Sequence, residues 1–367
     1  MSTSGSPPPA LDEADEVRAE ERIDPERLRP VLETAFPGAS GPITVRQFRK
    51  GHSNLTYLVG MGEHEAVLRR APFGTTVKHA HDMRREFQIL SALQGAYPQA
   101  PKPLAFCDDE SVLGARFFLM ERVRGLIVRG DGRDSGLSLD PETLRATSTA
   151  LADNLAALHA VDLRATGLAA MGRPEGYVGR QVKGWTERYQ AARTDDVPAV
   201  EQAAAWLAAH MPPESGAALV HNDYKYDNVV LDPARPTRIV AVLDWEMATV
   251  GDPLMDLGTM LGYWVDPEDP PDLRSRPYGP TLLPGSLSRS GLVERYAART
   301  GREVPGGALF YYVFAVFKIC VIAQQIYRRF VDGHTRDERF GALIRWVHGM
   351  GAQAMRAVDQ GRIDRLG

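Results

Sequence analysis

The sequence has little cysteine and no excess of basic residues. Its 367 residues include two cysteines, Cys107 and Cys320, which are far apart and in no metal-ligand spacing. This cysteine content is typical of a reducing compartment and argues against a disulfide scaffold. The formal net charge of −4 argues against a nucleic-acid-binding protein, which usually has a strongly basic face. We therefore expect a cytoplasmic protein with no nucleic-acid partner.

The sequence also has no recognisable secretory signal. Its first ten residues are rich in serine and proline and contain no apolar core. One long apolar segment, from Gly307 to Val331, contains Lys318 near its centre. Because a charged side chain in the middle of a bilayer is costly, we expect this segment to be a core helix and expect no membrane partner.

The first third of the chain shows the pattern of an antiparallel sheet. Residues 1–23 are rich in proline and acidic residues, so we expect a disordered tail. Short segments that alternate between apolar and polar residues follow, with glycine in their connections. These segments are residues 43–48, 55–59 and 65–70. A helix over 81–93 and a strand over 116–120 complete a predicted N-terminal lobe at residues 24–124.

After Gly125 the pattern is mainly helical. The predicted helices are Pro141–Ala160, Tyr177–Ala192, Val200–His210, Pro253–Trp264, Leu292–Thr300, Gly307–Val331 and Arg336–Val358. Three short predicted strands, at 218–220, 229–231 and 239–243, interrupt them. We therefore predict an α+β chain with a helical C-terminal lobe over residues 125–367.

Polar residues with phosphoryl-transfer chemistry lie among these short strands. The segment reads His221-Asn-Asp223-Tyr-Lys225-Tyr-Asp-Asn228, and Asp244 follows at the end of a predicted hairpin. Phosphoryl transfer from ATP requires a carboxylate near the acceptor hydroxyl, oxygen ligands for Mg²⁺ and cations near the phosphates. Oxygen ligands without histidine or cysteine suit Mg²⁺ rather than zinc. The spacing therefore indicates a phosphotransferase that uses ATP and Mg²⁺.

These motifs resemble those of a known family. The pattern His-x-Asp-x-Lys-x-x-Asn, followed by an aspartate that closes a hairpin, is similar to the catalytic and metal-binding loops of protein-kinase-like folds. With Leu243-Asp-Trp-Glu246 and Gly251-Asp-Pro-Leu-Met-Asp256, it resembles the aminoglycoside phosphotransferase and choline kinase family. The resemblance implies a two-lobed α+β fold with a small antiparallel-sheet lobe, a mainly helical lobe and ATP between them.

The resemblance also implies roles for single residues of the C-terminal lobe. Asp223 matches the catalytic base, and Lys225 matches the cation that meets the γ-phosphate. Asn228 and Asp244 match the Mg²⁺ ligands. Glu246, two residues past Asp244, is a candidate ligand of a second metal, but we favour a surface carboxylate. Asp256 is read as a structural residue that bonds amides of the preceding loop.

In the N-terminal lobe the resemblance implies a nucleotide site. Gly51 and Ser53 match a turn that covers the phosphates, although Lys50 replaces the first of the family's two usual glycines. Arg69 stands where the family has a lysine that pairs with the α- and β-phosphates, and Glu86 matches its carboxylate partner. The backbone of Glu121 and Val123 matches the hinge that meets adenine.

The identity of the acceptor, a small molecule with a hydroxyl group, leaves alternatives open. Ser53-Asn-Leu-Thr-Tyr57 and Leu243-Asp-Trp-Glu-Met-Ala248 resemble the branch of the family that is fused to acyl-CoA dehydrogenases, which implies a hydroxyacyl-CoA or similar acceptor. A polycationic aminoglycoside would instead require carboxylates in the cleft. The predicted surface loop 265–288 offers four, namely Asp266, Glu268, Asp269 and Asp272.

A third interpretation, from another class, is a nucleotide-binding pseudokinase. Arg69 and the single-glycine turn favour it. The presence of Asp223, Asn228 and Asp244 together argues against it, because a protein without chemistry has no need to keep all three.

Overall fold

The alternating segments of the N-terminal lobe form a five-stranded sheet. The computed structural model describes residues 13–48, 54–72, 82–135, 138–335 and 337–367. The strands are β1 (Ile43–Phe48), β2 (Leu55–Met61), β3 (His64–Arg70), β4 (Pro103–Cys107) and β5 (Phe117–Met120). They are ordered β1-β2-β3-β5-β4, and each neighbouring pair is antiparallel. The prediction of an antiparallel sheet lobe is confirmed.

Helices cover this sheet, which is what its two apolar faces require. They are α1 (Arg29–Ala35), α2 (Met83–Ala92) and α3 (Glu110–Leu113). One face of the sheet packs with α1 through residues such as Leu32, Val59 and Leu119, which are fully buried. The helix α2 begins where the Asp82 carboxylate accepts a hydrogen bond from the Arg85 amide at 3.0 Å, a typical N-cap.

Residues 13–23 differ from the disordered tail that the sequence predicts. The backbones of Asp15 and Gln47 exchange two hydrogen bonds of 2.9 and 2.8 Å, and Ala14 is fully buried. Because β1 is an edge strand, its free backbone groups accept this segment despite the segment's acidic composition. Residues 1–12 lie outside the described residues.

The rest of the described chain is mainly helical, as predicted. The helices are α4 (Pro141–His159), α5 (Tyr177–Ala192), α6 (Pro198–Ala209), α7 (Pro253–Gly262), α8 (Pro271–Arg274), α9 (Arg289–Thr300), α10 (Leu309–Val331) and α11 (Leu343–Gln360). A 3₁₀ helix, Glu338–Ala342, precedes α11, and the predicted start at Arg336 lies outside the described residues.

Two small antiparallel pairs lie among these helices and carry the motifs. The strands are β6 (Ala218–Val220), β7 (Val229–Leu231), β8 (Ile239–Val242) and β9 (Thr249–Gly251). Strand β7 pairs with β8 as the predicted hairpin, and β6 pairs with β9. The loop 221–228, here called the motif loop, therefore runs from one pair to the other.

The apolar segment near the C-terminus forms the centre of the helical lobe. The helical stretch Pro305–Val331 is long and apolar enough to cross a membrane, but most of it is buried inside the protein. Its neighbour α7 approaches closely at two glycines. A Cβ on Gly258 would lie 2.5 Å from the Tyr311 carbonyl oxygen, and one on Gly262 would lie 2.7 Å from the Ala315 Cβ. The interface between α7 and α10 therefore requires residues without a side chain.

Candidate active site

The motif loop is anchored by a buried carboxylate. Asp256, in the first turn of α7, accepts hydrogen bonds from the His221 amide at 2.6 Å and the Asn222 amide at 2.7 Å. The ring of His159 lies 3.1 Å from the same carboxylate. Burial raises the pKa of Asp256, but these hydrogen bonds and the two histidines outweigh burial and leave the pKa below its usual value. Asp256 therefore fixes the start of the loop, as the sequence suggests.

Asp223 lies at the centre of the loop with both carboxylate oxygens engaged. Its Oδ1 accepts from the Tyr263 hydroxyl at 2.8 Å, and its Oδ2 accepts from the Asn228 amide at 2.8 Å and from the Lys225 ammonium. Burial raises the pKa of Asp223, but Lys225, Lys318 and the Tyr263 hydroxyl together hold that pKa below its usual value. The carboxylate is therefore ionised at neutral pH and can accept another hydrogen bond.

Asn222, before Asp223, has a backbone conformation that is uncommon for residues other than glycine. Its φ is +65°, in the left-handed region. Its side chain accepts from the Tyr177 hydroxyl and donates to the Met247 carbonyl, both at 3.0 Å. Its own carbonyl accepts from the Lys318 ammonium at 2.6 Å. These contacts hold the strained residue in place, which is typical of a functional loop.

Asn228 and Asp244 lie on two backbone segments that a hydrogen bond joins near Asp223. The Leu243 amide donates to the Asn228 carbonyl at 2.8 Å, so Asp244 follows directly from this link. Asp244 has a φ of +68°, a second left-handed residue. No cluster of three or more histidine, cysteine or acidic side chains that could hold a metal occurs in the part of the chain that the structure describes. Mg²⁺ requires no such cluster, because it usually binds one or two carboxylates together with water and phosphate oxygens.

Arg69 of β3 lies among three carboxylates at the lobe boundary. Its guanidinium nitrogens are 2.8 Å from Asp244, 3.3 Å from Glu86 and 3.8 Å from Glu246. Burial alone lowers the pKa of Arg69, but the three carboxylates outweigh burial and raise it. Its neighbour Arg70 donates to the Leu113 carbonyl at 2.8 Å. Arg69 is therefore the arginine of this pair that faces the motif residues.

The charge around Arg69 remains negative. One guanidinium is shared by three carboxylates, and burial and the charge of Asp244 raise the pKa of Glu86 to about 7 although Arg69 opposes this. A divalent cation would offset this excess charge, so the donor set of Asp244 and Asn228 fits Mg²⁺.

Glu246 is a correction to the sequence interpretation, which read it as a surface carboxylate. Its Oε2 accepts from the Asn54 amide at 2.5 Å, across the boundary between the lobes, and lies near Arg69. The contact joins residues 192 positions apart in sequence, so no local pattern could predict it.

A cavity of about 530 Å³ lies between the lobes, and we call it the cleft cavity. Motif residues and hinge residues line it together: Arg69, Glu121, Val123, Asp223, Lys225, Asn228 and Asp244. At Gly125 the chain passes so close to β7 that a Cβ would lie 2.5 Å from the Leu231 carbonyl oxygen. Gly125 therefore allows the chain to leave the predicted hinge. Gly51 and Ser53, predicted to cover the phosphates, lie outside the described residues.

The acidic loop 265–288 differs in part from the predicted surface loop. Glu268 and Asp272 are exposed as predicted, but the other two carboxylates are buried. Asp269 is buried and forms an ion pair with Arg289, whose Nη1 lies 3.0 Å from Asp269 Oδ1. Asp266 is also buried and accepts from the Glu268 amide at 3.0 Å. None of the four predicted carboxylates lines the cleft cavity.

The fold defines the class of two-lobed, protein-kinase-like proteins. A solved structure from Ralstonia eutropha, of a protein proposed to be an aminoglycoside phosphotransferase, superposes with a TM-score of 0.78. It is 31% identical, and the match covers 92% of this chain and 99% of that one. Choline kinase from Cryptosporidium parvum superposes with a TM-score of 0.64 over 94% of this chain and 98% of that one. Its 13% identity shows the fold alone.

The sequence comparison gives the family. The model of the phosphotransferase enzyme family matches residues 44–282. The chain belongs to this family, and it is a small-molecule phosphotransferase. It is 36% identical to mouse acyl-CoA dehydrogenase family member 10 over 298 residues, which is 80% of this chain and 27% of that protein. It is 34% identical to human acyl-CoA dehydrogenase family member 11 over 339 residues, 90% of this chain and 43% of that protein. The chain thus spans less than half the length of these relatives.

Proposed function

We propose that this chain transfers the γ-phosphate of ATP, in the presence of Mg²⁺, to a hydroxyl group of a small molecule. The observation that carries the proposal is the position of Asp223. This ionised carboxylate lines the cleft cavity together with Lys225, Asn228 and Asp244. Nucleotide complexes of more distant members of the fold support the nucleotide, since one solved neighbour holds GDP with kanamycin and another holds ADP with hygromycin B.

Each residue of the cleft has a defined task in this reaction. Asp223 accepts a hydrogen bond from the acceptor hydroxyl, orients its oxygen and takes its proton as the new oxygen–phosphorus bond forms. The bond between the γ-phosphorus and the bridging oxygen breaks, and ADP leaves. Lys225 and Arg69 provide positive charge near the phosphates. Asn228 and Asp244 would hold Mg²⁺, which offsets the charge of the phosphate oxygens when bound.

For the acceptor we propose a hydroxylated acyl-CoA or a similar anionic molecule. The relatives named as acyl-CoA dehydrogenase family members support this class. The acidic-loop carboxylates, which the sequence offers for a polycationic acceptor, do not line the cleft cavity, so they give no support to an aminoglycoside. An aminoglycoside stays the second candidate, favoured by the likeness to the Ralstonia eutropha protein.

A catalytic role and a cellular location are also part of the proposal. A catalytic role is favoured over a pseudokinase because Asp223, Asn228 and Asp244 all lie at one cavity. A cytoplasmic location is supported by Cys107 and Cys320, which are both free thiols and buried.

The test is ADP release from Mg²⁺-ATP with a panel of acceptors. The panel contains hydroxyacyl-CoAs, aminoglycosides, choline and homoserine, and Asp223→Asn is the control variant. We expect release that depends on one acceptor class and that falls by about 10² to 10⁴-fold in the variant, the range for loss of a general base. Near-normal release by Asp223→Asn would contradict the role of this carboxylate.

A further inference from the structure

A second cavity of about 460 Å³ lies beside the cleft cavity. One wall is the turn that contains Gly130 and Gly132. Their φ values of +54° and +81° lie in the left-handed region, which favours glycine. The other wall is the segment 274–283. A Cβ on Gly132 would lie 3.2 Å from the Cβ of Pro280, so the two walls meet there. We call this space the arginine cavity, after the residues described below.

The arginine cavity is held in a fixed position relative to Asp223. Ile127 and Arg129 line the cleft cavity, and the next residues along the chain line the arginine cavity, so one continuous backbone segment contributes to both. The segment 274–283 also contains Tyr278, whose ring packs 5.0 Å from the Tyr263 ring, and the Tyr263 hydroxyl bonds to Asp223. These contacts connect Asp223 to the segment that lines the second space.

The charge of the arginine cavity is positive. Three arginines line it, Arg133, Arg274 and Arg276, against a single carboxylate, Asp131. Asp131 is 3.2 Å from Arg133 and offsets that one charge. Neither Arg274 nor Arg276 forms an ion pair with a carboxylate among the described residues, and Arg276 lies 5.9 Å over the Trp346 ring. Two guanidinium groups are thus left to face an anion.

We propose that the arginine cavity binds a phosphate group of the acceptor, carried at some distance from the hydroxyl that receives the γ-phosphate. The inference rests on the proposed function and adds a specificity site to it. Guanidinium groups bind phosphate by paired, charge-assisted hydrogen bonds and keep their charge at all physiological pH values. A polycationic acceptor would be repelled by the same wall. Arg274 and Arg276 therefore select a hydroxylated molecule with a phosphorylated tail.

Direct binding tests the site without turnover. Coenzyme A is titrated into the full chain saturated with Mg²⁺-ADP, so that the nucleotide site is occupied. Loss of both arginines in Arg274→Gln/Arg276→Gln should weaken coenzyme A binding by about tenfold or more, the effect of losing a charge-assisted hydrogen bond. The exposed pair Arg46→Gln/Arg329→Gln removes the same charge elsewhere and should bind as the wild type does.

Kinetics distinguish an acceptor-borne phosphate from a free anion. With a hydroxyacyl-CoA, the double variant should show a KM raised by about tenfold with kcat unchanged, because the site binds without taking part in the chemistry. The same acyl group on N-acetylcysteamine, which has no phosphate, should show no difference between variant and wild type. Inorganic phosphate should raise the wild-type KM for the coenzyme A ester only.

Equal affinity of the wild type and the double variant for coenzyme A would overturn the proposal, as would failure of the wild type to bind it. Binding that depends on Arg274 and Arg276 without any ADP release would leave the anion site standing and would contradict the kinase function instead. ADP release with the hydroxyacyl-CoA at the same KM in the wild type and the double variant would support the kinase and overturn the arginine cavity.

Discussion

At the scale of single residues, Lys318 joins the core helix α10 to the motif loop. Its ammonium donates to the Asn222 carbonyl at 2.6 Å and lies 5.7 Å over the Trp185 ring. The pKa of Lys318 is lowered to about 8, mainly by burial, and charged neighbours of both signs also shift it. These neighbours are Asp223 and Asp256, which raise the pKa, and Lys225 and Arg188, which lower it further. The cation is thus close to losing its charge near neutral pH.

Replacing Lys318 should change the pH dependence of turnover. The Lys318 cation lowers the pKa of Asp223, so Lys318→Met should raise that pKa and move the acid limb of the kcat/KM profile to higher pH. Lys318→Arg keeps the charge and should leave the acid limb in place. In the wild type, activity should fall above about pH 8 to the plateau level of Lys318→Met, because Lys318 then loses its proton and its charge. The arginine variant should keep its activity there. An acid limb that is the same in Lys318→Met and the wild type would contradict this role.

Above about pH 8, where the activity of the wild type should fall, its free energy of unfolding should rise. The folded pKa of about 8 lies below the unfolded value of about 10.4, so the unfolded chain binds more protons between these two values. The contribution of Lys318 to the free energy of unfolding therefore increases as pH rises between them. Loss of activity there, without loss of stability relative to Lys318→Met, would identify a charge effect rather than unfolding.

The sequence predicts residues with local signatures better than their distant partners. The spacing of Asp223, Lys225 and Asn228 is readable because the three residues share one loop. The contact of Asn54 with Glu246 and that of Lys318 with Asn222 join residues 192 and 96 positions apart. Such contacts depend on how the lobes and helices pack, which a single sequence does not show.

At the scale of elements, the close approach of α7 and α10 is sensitive to one methyl group. Gly258→Ala places a Cβ against the backbone carbonyl of Tyr311, which cannot move aside as a flexible side chain would. Overpacking of this kind should lower the free energy of unfolding by about 1–3 kcal/mol. Thermal or denaturant unfolding measures the change.

The matched control lies on α11. Gly349 lies inside this helix, and a Cβ added to it would have no neighbouring atom within 4 Å. Gly349→Ala should therefore be neutral or stabilise the protein by about 0.4–1 kcal/mol, because alanine restricts the unfolded chain. Equal destabilisation by both changes would show that the α7–α10 approach is not the cause.

The sequence predicts the elements that show a clear period or a run of apolar residues. Strand β4 begins at Pro103 and lies at the edge of the sheet, where proline is tolerated but the strand pattern is weak. Strand β9 reads Thr249-Val-Gly251 and has no apolar run, whereas the equally short strands β6 and β7 are apolar throughout. Asp269, which forms a buried pair with Arg289 of α9, lies in a segment rich in proline and acidic residues, a composition that predicts surface loop. Burial became favourable there because each charge has a partner.

At the scale of the whole molecule, nucleotide should stabilise the two-lobed chain. A ligand that binds only the folded state raises the free energy of unfolding by about 2.7 kcal/mol at a hundredfold excess over its Kd. Mg²⁺-ATP should therefore raise the Tm of the wild type. Asp244→Ala should lose most of the part of this Tm increase that depends on Mg²⁺. Asp359→Ala, which removes an exposed carboxylate of α11, is the control and should respond as the wild type does. The same Mg²⁺-dependent shift in Asp244→Ala would contradict a metal site at this residue.

The two lobes were predictable as a class because sheet patterns precede helical ones along the chain and the motif loop follows a short strand. The acceptor was not predictable in the same way, because the site that we propose for it is built from turns and loop walls, such as the one at Gly132 and Pro280, that meet only in the folded chain.

The central claim is that Asp223 activates an acceptor hydroxyl for attack on the γ-phosphate. Its most direct test is transfer of label from γ-labelled ATP to the acceptor, followed by identification of the labelled oxygen. We predict label on a hydroxyl oxygen of a hydroxyacyl-CoA with the wild type and almost none with Asp223→Asn, although the variant still binds Mg²⁺-ATP. Equal labelling by both proteins would contradict the claim.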